Sequence, residues 1–387
     1  MSIEKNSGSK RKVLKGVPKV AFAPIHDGKW EHTPFPSCLK ACLTYLGQKY
    51  PYHYILSTSG GAFRLVWHSK RWEGGNVDIV FMNKNPLKPF NRAFESVGRS
   101  MEIFLNQDHS WHITLDEEYM KDHRVGKNVI KREIIESINN NIPVIGFGVV
   151  GPPEASIITG YDNHGETLIG WSLFQNHLDP THNINEQEEE MYPPTGIEAS
   201  GYFRQDDWYR KTTGIVTIGE KTEVNKSDVY RKTLEWIVDI IKTPMINEFY
   251  TGIRAYDAYI EKLQTDAEFP TDNMTVLAER KMVHYDAMTM IYERGGGASF
   301  LKDVALHKDF KNVEKELNEA ARLFQDTSNQ MEKWWQIVGQ IWDNEEKQVK
   351  VMGDPKVRAA FVPAIETCRK NDEEAVTQIE IAIKNLV

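Results

Sequence analysis

The 387-residue chain has little cysteine, no excess of positive charge and no long apolar run. Three cysteines are too few for a disulfide framework, which predicts a reducing, cytoplasmic location. A net charge of −8, from 47 basic and 55 acidic residues, argues against nucleic acid as a partner, because duplex binding uses clustered Lys and Arg. No apolar run reaches the roughly 18 residues that a membrane span requires, so no membrane partner is expected.

Apolar and aromatic residues are plentiful, at 40% and 11% of the chain, which excludes a disordered protein. At roughly 100–200 residues per domain, the length predicts two domains, or three at most. Residues 1–19 are basic and have no apolar stretch after their Lys/Arg cluster. We therefore expect them to form a flexible tail rather than a secretion signal.

The segment from residue 20 to residue 222 combines short apolar runs with a few amphipathic stretches, which predicts an α+β domain with a mainly antiparallel sheet. The predicted strands are residues 77–82, 101–105, 144–150, 156–159, 167–171 and 214–218. The predicted helices are residues 37–46, 87–97 and 129–139.

Residues 226–387 change to a helical period, with apolar stripes at residues 249–263, 276–292, 313–342 and 357–386. Prolines fall between the stripes, where helices are expected to stop. The sequence therefore predicts an all-α helical bundle as the second domain.

One cysteine stands at the predicted start of a helix, in the segment HTPFPSCLKACLTYLG. If Ser37 is the N-cap, Cys38 lies in the first turn, where unpaired N–H groups and the helix dipole favour a thiolate. That environment suits a nucleophile. Buried packing is the alternative for Cys38, and it is the expectation for Cys42, one turn later.

Several segments around this cysteine resemble a known family. After the helix comes SGGAFRLVW at residues 59–67, and later come PVIGFGVV at residues 143–150 and ASIITGYD at residues 155–162. Together they resemble the papain-like fold of bacteriocin-processing peptidases, and more closely the N-terminal domain family of the butirosin-biosynthesis protein H. The resemblance covers residues 20–220 and implies a papain-like α+β domain with acyl-transfer or amide-cleaving activity.

The resemblance also implies a catalytic His before the GYD strand, but Glu154 and Ala155 occupy those positions. The third catalytic residue would fall at residues 169–172, which offer no carboxylate or amide. A carboxylate is a weak base for a thiol, because their reference pKa values lie roughly four units apart. Glu154 would serve only with a raised pKa, or it would recognise an amine on a ligand. Our candidate catalytic residues are Cys38, Glu154 and Asp162.

Four further residues are candidates for ligand binding: Arg64, Trp67, Asn76 and Trp171. Gly60 and Gly61 allow a close backbone approach, and an Arg beside them could pair with a carboxylate or phosphate. A tight turn explains the same glycines equally well.

Metal and cofactor sites are not expected. His177, Asp179, His182 and Glu186 lie in a polar stretch that is more typical of a solvated loop than of a metal site. In the helical half the paired Glu-x-x-His motifs of a di-metal bundle are missing.

Three function classes remain open after this reading. The first is a cysteine-dependent acyltransferase, amidohydrolase or peptidase that acts through Cys38 on a small acyl, peptide-like or amine-bearing compound. The second is a ligand-binding or regulatory module that has lost its catalytic residues, a pseudoenzyme. The third is an interaction protein whose helical bundle mediates assembly, including a homo-oligomer.

Overall fold

A computed structural model describes residues 9–22, 31–75, 78–79, 82–109, 117–176, 193–339 and 346–386. The strands are β1 (Lys12–Val13), β2 (Val66–His68), β3 (Arg99–Asn106), β4 (Arg124–Val125), β5 (Val144–Phe147), β6 (Ala155–Asp162), β7 (Thr167–Ser172), β8 (Gly196–Ile197), β9 (Phe203–Asp206), β10 (Gly214–Lys221), β11 (Met245–Ile246) and β12 (Phe249–Thr251).

The α-helices of the described residues are α1 (Pro34–Tyr45), α2 (Tyr52–Ser59), α3 (Lys88–Ser96), α4 (Glu117–Met120), α5 (Lys127–Asn139), α6 (Trp208–Lys211), α7 (Lys226–Lys242), α8 (Gly252–Leu263), α9 (Met274–Tyr292), α10 (Arg294–Leu306), α11 (Glu314–Val338), α12 (Glu346–Val351) and α13 (Pro355–Asn385). Short 3₁₀ turns occupy Gly61–Phe63, Lys121–His123, Asn163–Gly165, Asp266–Glu268 and Lys308–Val313.

The chain divides into two compact units. The first unit comprises Met1–Tyr50 and Arg99–Thr222, and the second comprises Pro51–Gly98 and Glu223–Val387. The predictions of an α+β fold and of a helical C-terminal region are confirmed.

The first unit is built on one mixed sheet, whose described strands follow the order β4-β3-β10-β5-β6-β7-β9-β8, with β1 added to β6. Among these neighbours β3 and β4 are parallel, and the other pairs are antiparallel. Helix α1 packs on β5 and β6, while α5 packs on β10 and β6. Alternating Val and Ile side chains of the central strands, such as Ile145 and Ile157, are fully buried and form the core of this unit.

The second unit is mainly helical, and its largest helix contacts join α11 to α13 and α10 to α11. Residues 51–98 belong to this unit, whereas the sequence analysis assigned them to the first domain. Their own contacts explain the difference, because α2 packs on α10, and β2 pairs with β12 in a sheet ordered β11-β12-β2. Local sequence patterns do not predict these pairings, because more than 150 residues separate β2 from β12.

Two further expectations differ from the structure. Asp78, Ile79 and Met82 form bends rather than the strand predicted at residues 77–82, whose other positions lie outside the described residues. Residues 9–19, assigned to a flexible tail, include β1, and their apolar side chains Leu14 and Val17 are buried. No described helix is long and apolar enough to cross a membrane.

Candidate functional site

Cys38 lies in the second turn of α1 and not in its first. Thr33 is the N-cap residue, Pro34 begins the helix, and the Ser37 hydroxyl donates to the Thr33 carbonyl oxygen at 3.1 Å. Proline is well suited to the first helical position because it has no N–H to leave unsatisfied. As the fifth residue of α1, Cys38 lies beyond the unpaired N–H groups that lower a thiol pKa. The prediction that Ser37 caps the helix and that Cys38 lies in its first turn is therefore wrong: Cys38 lies one turn further along α1.

The thiols of α1 are buried in the core of the first unit. Cys38 and Cys42 are each 0% exposed, and burial raises the pKa of the Cys42 thiol far above its usual value. Phe35, on the same helix, stacks on Phe147 at the end of β5 with ring centroids 6.3 Å apart. The face of α1 that carries the cysteines is therefore a packing face, as the apolar spacing of the helix requires.

Glu154 is held in a fixed, buried position just before β6. Its backbone N–H donates to the Pro152 carbonyl oxygen at 2.6 Å, and its own carbonyl oxygen accepts from the Gly148 N–H at 3.1 Å. Only 3% of the residue is exposed. Gly148 has a φ of +71°, a conformation that disfavours other residues and lets the chain reverse between β5 and β6. A buried carboxylate on a backbone held in this way marks a candidate site, because burying a charge is costly.

Ser172, in the segment where the resemblance predicts a third catalytic residue, lies at the same end of the sheet as Glu154. Ser172 pairs with Ser156 in the β6–β7 register, two residues from Glu154. The Ser172 hydroxyl donates to the Val150 carbonyl oxygen at 3.1 Å, so it fixes the loop that leads to Glu154. In this way Ser172 supports the loop and supplies no charge.

Asp162 lies at the opposite end of β6. The strand has eight residues, and at about 3.3 Å per residue it separates Asp162 from its first residue by roughly 23 Å. Its carboxylate accepts from Arg11 at 2.9 Å and from Arg204 at 3.2 Å. Partial burial raises the pKa of Asp162, but the Asn163 amide and the two guanidinium groups lower it below its usual value. This geometry assigns Asp162 to ion pairing and separates it from Glu154.

Trp171 contacts the N-terminal segment of the chain. Its indole N–H donates to the Val17 carbonyl oxygen at 3.2 Å, and its ring lies 4.5 Å from that of Tyr202. Lys19 places its ammonium group 5.8 Å from the ring centroid. The predicted ligand-binding residue thus already contacts a peptide segment of its own chain.

Arg64 and Trp67 belong to the second unit, so the structure does not group them with Cys38 and Glu154. Trp67 is fully buried, and its ring stacks on Tyr259 at 4.5 Å and meets Trp72 edge-on at 5.0 Å. Arg64 is 1% exposed and contacts the Met290 sulfur. Asn76 lies outside the described residues.

Histidine positions decide whether Cys38 has a base. His32 is buried just ahead of α1, and burial lowers its pKa to about 4. His53 belongs to the second unit, where it pairs with Asp303 at 2.9 Å, and His164 is exposed in a turn. His26, and the set formed by His177, Asp179, His182 and Glu186, lie outside the described residues. Within the described ranges no group of three or more potential ligands could hold a metal ion.

A buried charge cluster in the second unit was missed by the sequence analysis. Arg294 and Asp372 have fully buried side chains 2.9 Å apart, and the Tyr256 hydroxyl donates to Asp372 at 2.9 Å. A usable signal was present, because Asp372 lies four residues after Cys368 within an apolar stripe of α13.

Neither the family models nor the curated proteins compared with this sequence gave a match.

Proposed function

We propose that the first unit is a papain-like module that binds a small peptide-like or amine-bearing compound through Glu154 and does not use Cys38 as a nucleophile. The arrangement of α1 against the antiparallel strands β5 and β6 supports the papain-like assignment. The cytoplasm is the compartment we propose, because all three cysteines are buried thiols.

The observation that carries this proposal is the buried carboxylate of Glu154 at the point where the papain-like pattern expects a base. Burying a carboxylate costs free energy, so a buried carboxylate is suited to strong polar contacts. A charged amine on a ligand would make charge-assisted hydrogen bonds with it, which are about twice as strong as neutral ones. Pro152 and Pro153 restrict the backbone of the loop before Glu154.

Burial of Cys38 in the second turn of α1 favours binding over catalysis. A catalytic thiol needs access to its substrate and a stabilised thiolate, and both are weakest for a fully buried residue inside the helix. The residue that would orient a base is Ser172, whose hydroxyl is bound to the Val150 carbonyl oxygen.

The test is calorimetric titration of the full chain with glycinamide, n-butylamine and Gly-Gly, each beside its N-acetyl derivative. We expect the amines to bind and the acetylated compounds to fail, because acetylation removes the charge. Glu154→Gln keeps the shape of the side chain and should weaken binding about 10- to 100-fold, the equivalent of one charge-assisted hydrogen bond. Glu102→Gln, at an exposed carboxylate on β3, is the matched control and should bind as the wild type does.

Two results would reject the proposal. Equal affinity of wild type and Glu154→Gln for the amines would show that this carboxylate is not the binding group. Turnover of p-nitrophenyl acetate by the wild type that disappears in Cys38→Ala would establish a thiol enzyme instead.

A further inference from the structure

Residues 10–22, here called the strap, contain β1, which adds a short strand to β6. In the ladder, β1 within the strap pairs antiparallel with Tyr161 and Gly160 of β6. The next residue, Leu14, donates its N–H to the Thr159 carbonyl oxygen at 2.8 Å. A side chain at Gly160 would clash, since its Cβ would lie 2.5 Å from a strap carbonyl oxygen. The sheet is therefore shaped to accept a main chain at this place.

Side chains of the first unit bind the strap through its main-chain carbonyl groups. The Tyr202 hydroxyl donates to the Leu14 carbonyl oxygen at 3.2 Å. The Trp171 indole N–H donates to the Val17 carbonyl oxygen at 3.2 Å. Contacts to main-chain carbonyl groups do not depend on the identity of the bound side chains, and they are typical of sites that bind peptides as an added strand.

The ion pairs of Arg11 and the buried apolar side chains of the strap add selectivity for particular peptide side chains to these main-chain contacts. Arg11 donates to Asp162 at 2.9 Å and to both oxygens of Glu198 at 2.8 and 3.0 Å. Three apolar strap residues are buried, with exposures of 3–4%: Leu14, Val17 and Val20. The surface under the strap thus suits an extended peptide with an arginine followed by spaced apolar residues.

The strap runs toward the loop that carries Glu154. It starts beside the end of β6, and its last residue, Phe22, meets Phe174 edge-on at 4.9 Å. Phe174 in turn packs on Gly151, three residues before Glu154, since a Cβ on Gly151 would lie 2.8 Å from the Phe174 side chain. The strap therefore connects the far end of β6 with the candidate site.

The pairing of the strap with the sheet is short, and its ion pairs are partly exposed. Its ladder to β6 is two residues long, whereas β6 and β7 pair over most of their length. The Arg11 side chain is 41% exposed, so salt weakens its ion pairs. A short, partly exposed strand of this kind belongs to the least protected part of a fold.

We propose that the strap is a cis-bound occupant of a peptide track, and that the track takes extended basic and apolar peptides in its place. This inference rests on the proposed function, and it narrows the ligand class from peptide-like compounds to extended peptides that carry an arginine. Release of the strap frees Trp171, Tyr202 and the acidic pair Asp162 and Glu198 for the incoming peptide.

The first experiment measures hydrogen exchange in the wild-type full chain. Amides of residues 10–20 should exchange at least about tenfold faster than those of β6 and β7. Raising NaCl from 0.1 M to 1 M should accelerate strap exchange several-fold and leave β6 unchanged. Equal protection of the strap and β6 at both salt concentrations would identify the strap as an integral strand and overturn the proposal.

The second experiment adds a fluorescein-labelled peptide of residues 9–22, SKRKVLKGVPKVAF, to the full chain and measures fluorescence polarisation. The variant Arg11→Glu loses the strap's ion pairs and should bind the peptide at least about tenfold more tightly than the wild type. Lys15→Glu makes the same charge change at an exposed strap residue and should bind like the wild type. A scrambled peptide should bind to neither variant.

Absence of peptide binding by Arg11→Glu, or equal binding by all three proteins, would overturn the proposal. If Arg11→Glu fails to fold, the exchange measurement on the wild type decides alone. The two hypotheses fail separately. Amine binding that persists while the strap is as protected as β6 rejects only the peptide track. A mobile strap with no dependence of amine binding on Glu154 rejects only the proposed function.

Discussion

The buried ion pair between Arg294 and Asp372 gives the most quantitative prediction for this protein. Both side chains are 0% exposed, and the Arg294 Nε donates to the Asp372 carboxylate at 2.9 Å. The Arg294 Nη1 also donates to the carbonyl oxygens of Ala62 and Arg64, at 3.0 Å each. One guanidinium group thus joins α10 and α13 to the chain segment after α2, all within the second unit.

Asp372→Ala should destabilise the second unit by about 3–5 kcal/mol. The substitution leaves the Arg294 charge buried without its counter-ion, and breaking a buried pair in this way costs about that much. With a urea m-value of about 3 kcal/mol/M for a unit of this size, the unfolding midpoint should fall by about 1–1.7 M. Circular dichroism at 222 nm measures this midpoint, because the second unit contains most of the helix.

Two further variants make the result specific. Asp239→Ala removes a 52% exposed carboxylate that pairs with Lys88 at 3.0 Å, and it should change stability by no more than about 0.5 kcal/mol. Arg294→Met combined with Asp372→Leu removes both charges and should recover at least half of the loss. A midpoint shift below about 0.3 M for Asp372→Ala would refute the reasoning, since it would mean that the pair contributes no more than a surface contact.

Three other substitutions or treatments have clear expected results. Burial raises the pKa of Asp286 to about 7 against the opposing effect of Arg64, so the folded state binds a proton that the unfolded state releases near pH 4. This contribution to stability is complete below pH 4 and is lost as pH rises toward 7. Urea unfolding should therefore show that the free energy of unfolding of Asp286→Asn, relative to that of the wild type, rises by up to about 1.4 kcal/mol per pH unit in that range. Mass spectrometry should find that Cys38, which is 0% exposed, reacts with iodoacetamide at least about 100-fold more slowly than free cysteine, and fast labelling would contradict its burial. Gly170→Ala puts a Cβ 1.8 Å from the Ile157 carbonyl oxygen and should cost about 3 kcal/mol or prevent folding, as thermal unfolding will show.

Local patterns predicted the secondary structure of the first unit well. The predicted helix at residues 129–139 is α5, and the run at residues 167–171 lies within β7. These segments carry their own signal, because a buried helix or strand repeats apolar residues with its own period. The N-terminal boundary of α1 was less accurate, since Thr33 and Ser37 both suit an N-cap and only the proline at position 34 separates the two choices.

The assignment of residues 51–98 required information that local patterns do not contain. Helix α2 is short and packs on α10, and strand β2 pairs with β12; both partners come some two hundred residues later in the chain. Pairing of distant segments depends on complementary surfaces, which periodicity does not reveal. The strap was missed for a different reason: its lysines suggested a solvated tail, while Leu14, Val17 and Val20, three residues apart, provided the signal for a buried edge.

The motif at residues 59–67, which supported a resemblance to an enzyme family, is explained here by packing within the second unit. Gly60 has a φ of +98°, and a Cβ there would lie 2.5 Å from the Ile240 side chain. Phe63 packs on Phe324 with ring centroids 5.4 Å apart, and Trp67 stacks on Tyr259. Each residue therefore has a structural reason to be what it is, so the motif supports a fold more than a reaction.

Glu154 differs from those residues because it carries a carboxylate into the interior of the first unit, where burying a charge costs free energy. Its loop is fixed from both sides, by the Gly148 N–H and by the Ser172 hydroxyl bound to Val150, and this holds the backbone of Glu154 in place. A fixed backbone at the binding residue favours recognition of an amine. If Glu154→Gln lowers ligand affinity and leaves the unfolding midpoint unchanged or higher, the carboxylate is retained for binding; a fall in stability of about 3 kcal/mol would instead make it a structural charge.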